Sequence, residues 1–220
     1  MQHDAPTVSQ PEPGQRARQK ARTRARILQC ALEAFAEKGF EGASVREIAS
    51  AAGVNHGLIR HHFKDKDRLW KAAVTFLFDR LDEEMAPPDG QEMRGLDGLK
   101  DWIRRYVRYC ARHPEHARIM VQESIRDSDR LQWAVDTHIR PSHERMLPIT
   151  KHYIRTGIYP DADPVMLTYI LVASAQMIFA LGHEVRDTHD VDVNDPDFID
   201  AHAEAIISLF FRHKVESPPG

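Results

Sequence analysis

Six cations fall within eleven positions near the start of the chain: Arg16, Arg18, Lys20, Arg22, Arg24 and Arg26. Residues of this type at this density hold an anion, and the charge balance along the chain agrees. Residues 1–66 carry eleven Lys/Arg against seven Asp/Glu, about +4, whereas the remainder is about −7, giving the overall −3. A basic end on an acidic body points to an anionic partner at that end only, nucleic acid ahead of an anionic membrane. A solvated charged tail is the competing, blander reading. A second group of donors lies at Asn55, His56, Arg60 and His61, with His62 next in the chain. On a helix, amide, imidazole and guanidinium groups at these positions suit hydrogen bonds to base edges and phosphates. The same histidines raise the question of a metal, but no Cys or acidic residue stands at ligand spacing and residues five apart do not share a helix face. Similar caution about a metal covers His113, His116, His138, His143 and His183. No metal and no cofactor are expected.

Other chemistries find less support. Glu123, His138, His143 and Glu144 are the polar groups from which a catalytic cavity would be built. No nucleophile with a base, paired-carboxylate motif or phosphate loop accompanies them, and adjacent His143 and Glu144 face different ways. The expectation is that the chain is not an enzyme; an all-α small-molecule-binding enzyme with an incidental basic segment is the alternative. The longest apolar stretch, Val165 to Leu181, carries Thr168, Ser174 and Gln176 and falls short of the ~18–20 residues of a membrane span. The basic segment lacks the large apolar neighbours of a membrane-surface helix, so no membrane partner is expected. No apolar block follows the N-terminal charges, as a secretory signal requires. Cys30 and Cys110 lie far apart and read as reduced thiols, consistent with a cytoplasmic chain. At 42% hydrophobic and 29% charged residues, the composition is that of a globular protein rather than a disordered or fibrous one.

The elements that must position these residues are helices throughout. Residues 1–21 form a flexible basic arm in this reading. From Thr23 the periodicity turns helical, with Ile27, Leu28, Ala31, Leu32 and Phe35 on one face and Gly39 as a stop. Ser44 and Glu47 have capping-box spacing and open a short helix that buries Val45, Ile48 and Ala49. Gly53 supplies a backbone with positive φ at a tight turn, and Val54 plugs its corner. Asn55 then caps a second short helix to His62, with Leu58 and Ile59 inward and Asn55, His56, Gly57, Arg60 and His61 outward. Asp65 caps a helix from Lys66 to Met85, and a loop follows over 86–95. Further helices are expected near 96–112, 115–126, 129–156, 164–186 and 197–213. Asp163-Pro164 and Asp195-Pro196 are N-cap and N1 pairs, and Pro141 and Pro148 kink the longest helix. The result is an all-α chain of about nine helices. Its N-terminal trihelical helix-turn-helix domain spans 22–68, followed by a helical domain over 69–215.

Two short capped helices at a steep angle across a glycine turn form a helix-turn-helix, which places its second helix in a major groove. The stretch Thr23 to Leu69 resembles the DNA-binding domain of the TetR family of transcriptional regulators. The resemblance rests on Ile27, Leu28, Ala31, Phe35, Gly39, Ser44, Val45, Ile48, Ala49, Gly53, Val54, Phe63, Lys66 and Leu69 in order. It implies a homodimer on double-stranded operator DNA, generally a repressor released from a palindromic operator by a small-molecule effector bound in the second domain. It also implies DNA contacts from Ser44, Arg46, Asn55, His56, Gly57, His61 and Lys66, to which the basic character adds Arg24 and Arg60. Arg60 stands where relatives often carry Tyr; it can pair with guanine or grip a phosphate.

In the second domain the resemblance implies an effector pocket among Trp102, Tyr106, Tyr109, Met120, Glu123, Trp133, His138, Tyr169 and Met177; Phe179 lies on the same helices. The run from His113 to Glu123, with Pro141 and Gly157, loosely resembles the subgroup that includes pyrimidine-responsive regulators. The helix at 164–186 is apolar on most sides, so most sides must be covered. With the last helix it is expected to form a two-fold interface through Ile170, Ser174, Met177, Ile178, Leu181, Ile206 and Phe210.

Overall fold

In the computed structural model the described residues are 13–87 and 95–211, and every regular element among them is a helix. Helix α1 spans Pro13–Gly42, with a break at Gly39 where φ is +69°. Helices α2 (Val45–Ala51), α3 (His56–Phe63) and α4 (Lys66–Met85) complete the head. The body contains α5 (Gly95–Arg112), α6 (Pro114–Arg126), α7 (Asp129–Ala134), α8 (Arg140–Arg155), α9 (Pro164–Ala180), α10 (Gly182–His189) and α11 (Pro196–Phe210).

The local rules that start these helices hold at most expected positions. Asp65 accepts from Arg68 N at 2.8 Å, Asp163 from Val165 N at 2.8 Å and Asp195 from Asp197 N at 2.9 Å. Ser44 departs from expectation. It occupies the N-cap of α2 but makes no capping hydrogen bond, and Glu47 turns instead to Lys38 Nζ at 2.8 Å. The cross-helix ion pair outcompetes the capping box, leaving the Ser44 hydroxyl available to an outside group.

Three boundaries also differ. Helix α1 begins at Pro13 rather than Thr23, so the described part of the expected arm, 13–21, is helical; residues 1–12 lie outside the described set. Ala, Arg, Gln and Lys are strong helix formers, but a helix with no buried face shows no apolar period. The single helix expected over 129–156 is α7, a π-helical turn at Val135–Ile139, and α8. Pro141 has no N–H for the carbonyl four residues back, and the widened turn accommodates its ring. The helix expected over 164–186 bends by 66° between α9 and α10. A Cβ on Gly182 would stand 2.9 Å from Val193 Cγ2, so the bend is where Val193 packs against bare backbone.

Two apolar clusters organise the chain. One holds Ile27, Leu28, Phe35, Ile48, Ile59, Phe63 and Trp70, and it recruits Ile119 and Ala134 from the body. The other holds Leu99, Ile103, Val107, Leu171, Phe179, Ile206 and Phe210. Full burial of side chains of this size contributes about 1.5–3 kcal/mol each. Helix α4 joins the clusters: Leu69 to Leu77 belong to the first, while Leu81 and Met85 pack against the second. Among the described residues no single helix is long and apolar enough to cross a membrane; the bent pair α9–α10 passes only on combined length and composition.

Candidate nucleic-acid interface

The turn between α2 and α3 is built from backbone. Gly53 N donates to Ser50 O and Val54 N to Ala49 O, each at 3.0 Å, a Schellman closure that requires the positive φ of +59° at Gly53. Nothing stands within 4 Å of a Cβ placed there, so conformation alone demands the glycine. Asn55 Oδ1 then accepts from Gly57 N at 2.7 Å and starts α3. A Cβ on Gly57 would meet that same oxygen at 3.1 Å, which gives Gly57 a reason inside the cap itself.

Ile59 and Phe63 anchor α3 in the head, with Leu58 and His62 half-buried at its flank. His56, Gly57, Arg60 and His61 are exposed together with Asn55, the outward set expected. Among the described residues Arg46 and Arg60 form no ion pair, so both guanidinium groups face solvent unspent. Arg24 lies on α1 with its guanidinium 5.8 Å from the Phe63 ring centre. Lys66 is more committed than expected: Nζ donates to Glu41 O at 3.1 Å and sits 4.7 Å from the Phe40 ring centre. Partial burial lowers the His62 pKa, with His61, Lys20 and Arg24 adding repulsion, so its ring is neutral near pH 7.

Five of the nine expected effector residues, Trp102, Tyr106, Tyr109, His138 and Trp133, lie along one run of ring contacts: Tyr106 meets Tyr109 at 6.5 Å, and His116 and Phe78 carry the run on to His138, which meets Trp133 at 5.4 Å. Trp102 stacks on Tyr106 at 5.1 Å, and the Tyr106 hydroxyl accepts from Gln176 at 2.7 Å inside the second cluster. Tyr109 is fully buried against His116 Nδ1 at 2.9 Å, and burial pushes both tyrosines above the usual phenol range. Met120 and Trp133 pack against the head cluster instead, Trp133 edge-on to Trp70. His138 lies face to face with Phe78 at 4.7 Å, 3.3 Å from Thr75 Oγ1, and burial lowers its pKa. Met177 is half-buried, whereas Tyr169 is 59% exposed on the outside of α9. A helical period reports that these faces are buried, whereas the run through His116 and Phe78 that links Tyr109 of the second cluster to Trp133 beside the first is set by packing between helices.

Glu123 has a different task. Its buried carboxylate accepts from Ser128 Oγ and from Arg130 Nε at 3.2 Å, and Arg130 covers the Phe40 ring at 3.7 Å. Gln122 Nε2 donates to Ala36 O at 2.8 Å, and a Cβ on Gly39 would meet Arg126 Nη1 at 2.9 Å. Helix α6 thus grips the end of α1, tying body to head. The expected interface needs correction too. Ile206 and Phe210 are buried in the chain's own core, since they point from α11 toward α5 and α9. Ile170 and Leu181 are exposed and Ser174, Met177 and Ile178 half-buried, and Val165 and Leu209 on the same two helices are exposed as well; Met166 and Tyr169 add exposed apolar surface that the helical pattern did not assign to this face. Burial pushes both thiols, half-buried Cys30 and buried Cys110, above their ordinary pKa.

A helix-turn-helix head with one polar, uncovered helix face, joined through its core to a larger helical body, defines a DNA-binding transcriptional regulator. The family model for bacterial regulatory proteins of the tetR family matches residues 27–73, the head and the start of α4. The chain is 22% identical to the transcriptional regulator RutR of Escherichia coli over 195 residues, covering 88% of this chain and 91% of that one. It is 23% identical to the transcriptional repressor NicS of Pseudomonas putida over 165 residues, 73% of this chain and 77% of the relative. The solved structure of AibR with isovaleryl coenzyme A and operator DNA shares the fold at a TM-score of 0.67 and 16% identity, covering 86% of this chain and 98% of that one. The head thus carries the DNA-binding domain of the bacterial tetR-family regulators, and the relatives to which the chain is similar over most of its length are helix-turn-helix transcriptional regulators.

Proposed function

We propose that this regulator is a repressor that binds a palindromic operator as a two-fold dimer and leaves it when a small molecule occupies the body. The carrying observation is the exposed face of α3 on a head whose core includes Ile119 and Ala134 of the body. Displacement of α6 or α7 by an effector then repositions the head directly. The naming of NicS as a repressor, and the presence of both an acyl-coenzyme A and operator DNA in the AibR structure, support the same reading.

In this reading Arg24, Ser44, Arg46, Arg60 and Lys66 serve phosphates or bases, and Asn55, His56, Gly57 and His61 line the groove face. Residues 22–68 act as the DNA-binding domain and 69–215 as the effector and dimerisation domain, without catalysis and in the cytoplasm. The exposed apolar face of α9 and Leu209 of α11 is covered by a second copy, which sets half-site centres about 34–36 Å or a multiple of helical turns apart. A gel shift on the DNA adjoining the chain's own coding sequence, with and without a panel of candidate metabolites, tests this. A retarded band abolished by one compound is expected; failure to retain any sequence, even from a random pool, overturns it.

A further inference from the structure

Between residues 13 and 32 the chain has six cations and no carboxylate. The structure makes this stretch the leading part of α1, with all six side chains exposed. Residues four apart share a helix face, so the cations form two stripes, Arg16–Lys20–Arg24 and Arg18–Arg22–Arg26. Like charges at this spacing repel along the helix, and an anionic strand laid on a stripe relieves that repulsion.

The first stripe looks toward α3. Arg24 reaches over Phe63 at the end of α3. Gln15, Arg16, Gln19 and Lys20 line a concavity of about 500 Å³ with Leu58 and His62. Leu58 and His62 form the flank of α3 beside the exposed His61. A helix seated in a major groove about 12 Å wide has a sugar-phosphate strand on each side. On this flank the next surface is the Arg16–Lys20 stripe.

We infer that the concavity between α1 and α3 seats one sugar-phosphate strand of the DNA, with Arg16 and Lys20 holding its phosphates and the amides of Gln15 and Gln19 beside them. The site rests on the DNA-binding reading and extends the interface beyond the helix-turn-helix. From Arg16 to Arg24 the helix rises about 12 Å, the axial length of three to four phosphates at ~3.4 Å each along one strand. A rigid helix, unlike a flexible arm, presents these charges in a fixed register with α3.

Two double variants of equal charge test it, R16A/K20A on the concavity and R18A/R22A turned away from it. Alanine preserves the helix, which circular dichroism verifies. The probe is the duplex that the wild-type protein selects from a random pool, titrated by fluorescence anisotropy from about 50 to 200 mM salt. R16A/K20A should reduce the slope of log K against log salt by about 1.8, at roughly 0.9 for each phosphate that is no longer neutralised; R18A/R22A should reduce it by less than half as much. Equal reductions, or no reduction in R16A/K20A, overturn the seat while leaving DNA binding intact. Vesicles of anionic lipid that bind through Arg16 and Lys20 when the salt slope on DNA is unchanged assign the stripe to a membrane and overturn it as well. A wild-type protein that selects no sequence overturns the DNA-binding reading itself.

Discussion

His116 offers a quantitative check on how the head and body share their interior. Its imidazole is buried, 4.8 Å from the Phe78 ring, and Nδ1 lies 2.9 Å from the Tyr109 hydroxyl. Burial pushes its pKa down to about 4, against a smaller upward pull from Glu115. The ordinary value in an unfolded chain is about 6.5. The unfolded chain therefore takes up a proton that the folded chain refuses, and stability present above pH 6.5 is lost as pH falls toward 4. Between pH 7 and pH 5 this one residue should remove about 2 kcal/mol of folding stability. His116→Gln keeps a polar group opposite Tyr109 but cannot charge. Urea unfolding of both proteins at the two pH values and one protein concentration isolates the effect, because His138 and His202, whose pKa values burial also lowers, are common to both. The wild-type protein should lose about 2 kcal/mol more than the variant. Equal losses would refute the reasoning, as would an imidazole resonance of His116 that titrates near pH 6.5.

Arg60→Ala should bind all operators more weakly with an unchanged preference matrix, because base contacts concentrate at the N-terminal end of a recognition helix and Arg60 lies beyond it; one altered column after selection from a random pool would instead give it a base. Ile170→Arg, on a side chain 54% exposed in the single chain, should remain folded but sediment as a monomer and lose operator binding. A wild-type protein that is itself monomeric at micromolar concentration contradicts this. Gly182→Ala should destabilise by about 1–3 kcal/mol through the 2.9 Å approach to Val193, with Val193→Ala in the same background restoring part of the stability; urea midpoints read both, and an unaffected Gly182→Ala protein shows that the bend tolerates a side chain.

The sequence alone determined the head. Its signals are local: Gly53 needs positive φ, Asn55 and Asp65 cap the helices that follow them, and Leu58, Ile59 and Phe63 recur at helical spacing. These constraints act within a few residues of one another, so α2, α3, their turn and the outward face of α3 were legible in order. The same locality explains why Asp163 and Asp195 marked the starts of α9 and α11. Ser44 shows the limit, since its capping box yields to an ion pair between Lys38 and Glu47 on different helices.

What only the tertiary structure decided is which apolar face meets which neighbour. Ile206 and Ile170 look alike in a helical pattern, yet one is 2% and the other 54% exposed. Met120 and Trp133 belong to the body in sequence and to the head's core in space. Glu123 reads as a polar group in a pocket until Arg130 and Ser128 are seen to hold it. The leading turns of α1 were hidden for the opposite reason: a helix exposed on all sides has no hydrophobic period. Periodicity reports that a face is buried, and the partner that buries it is set by packing between segments distant in sequence.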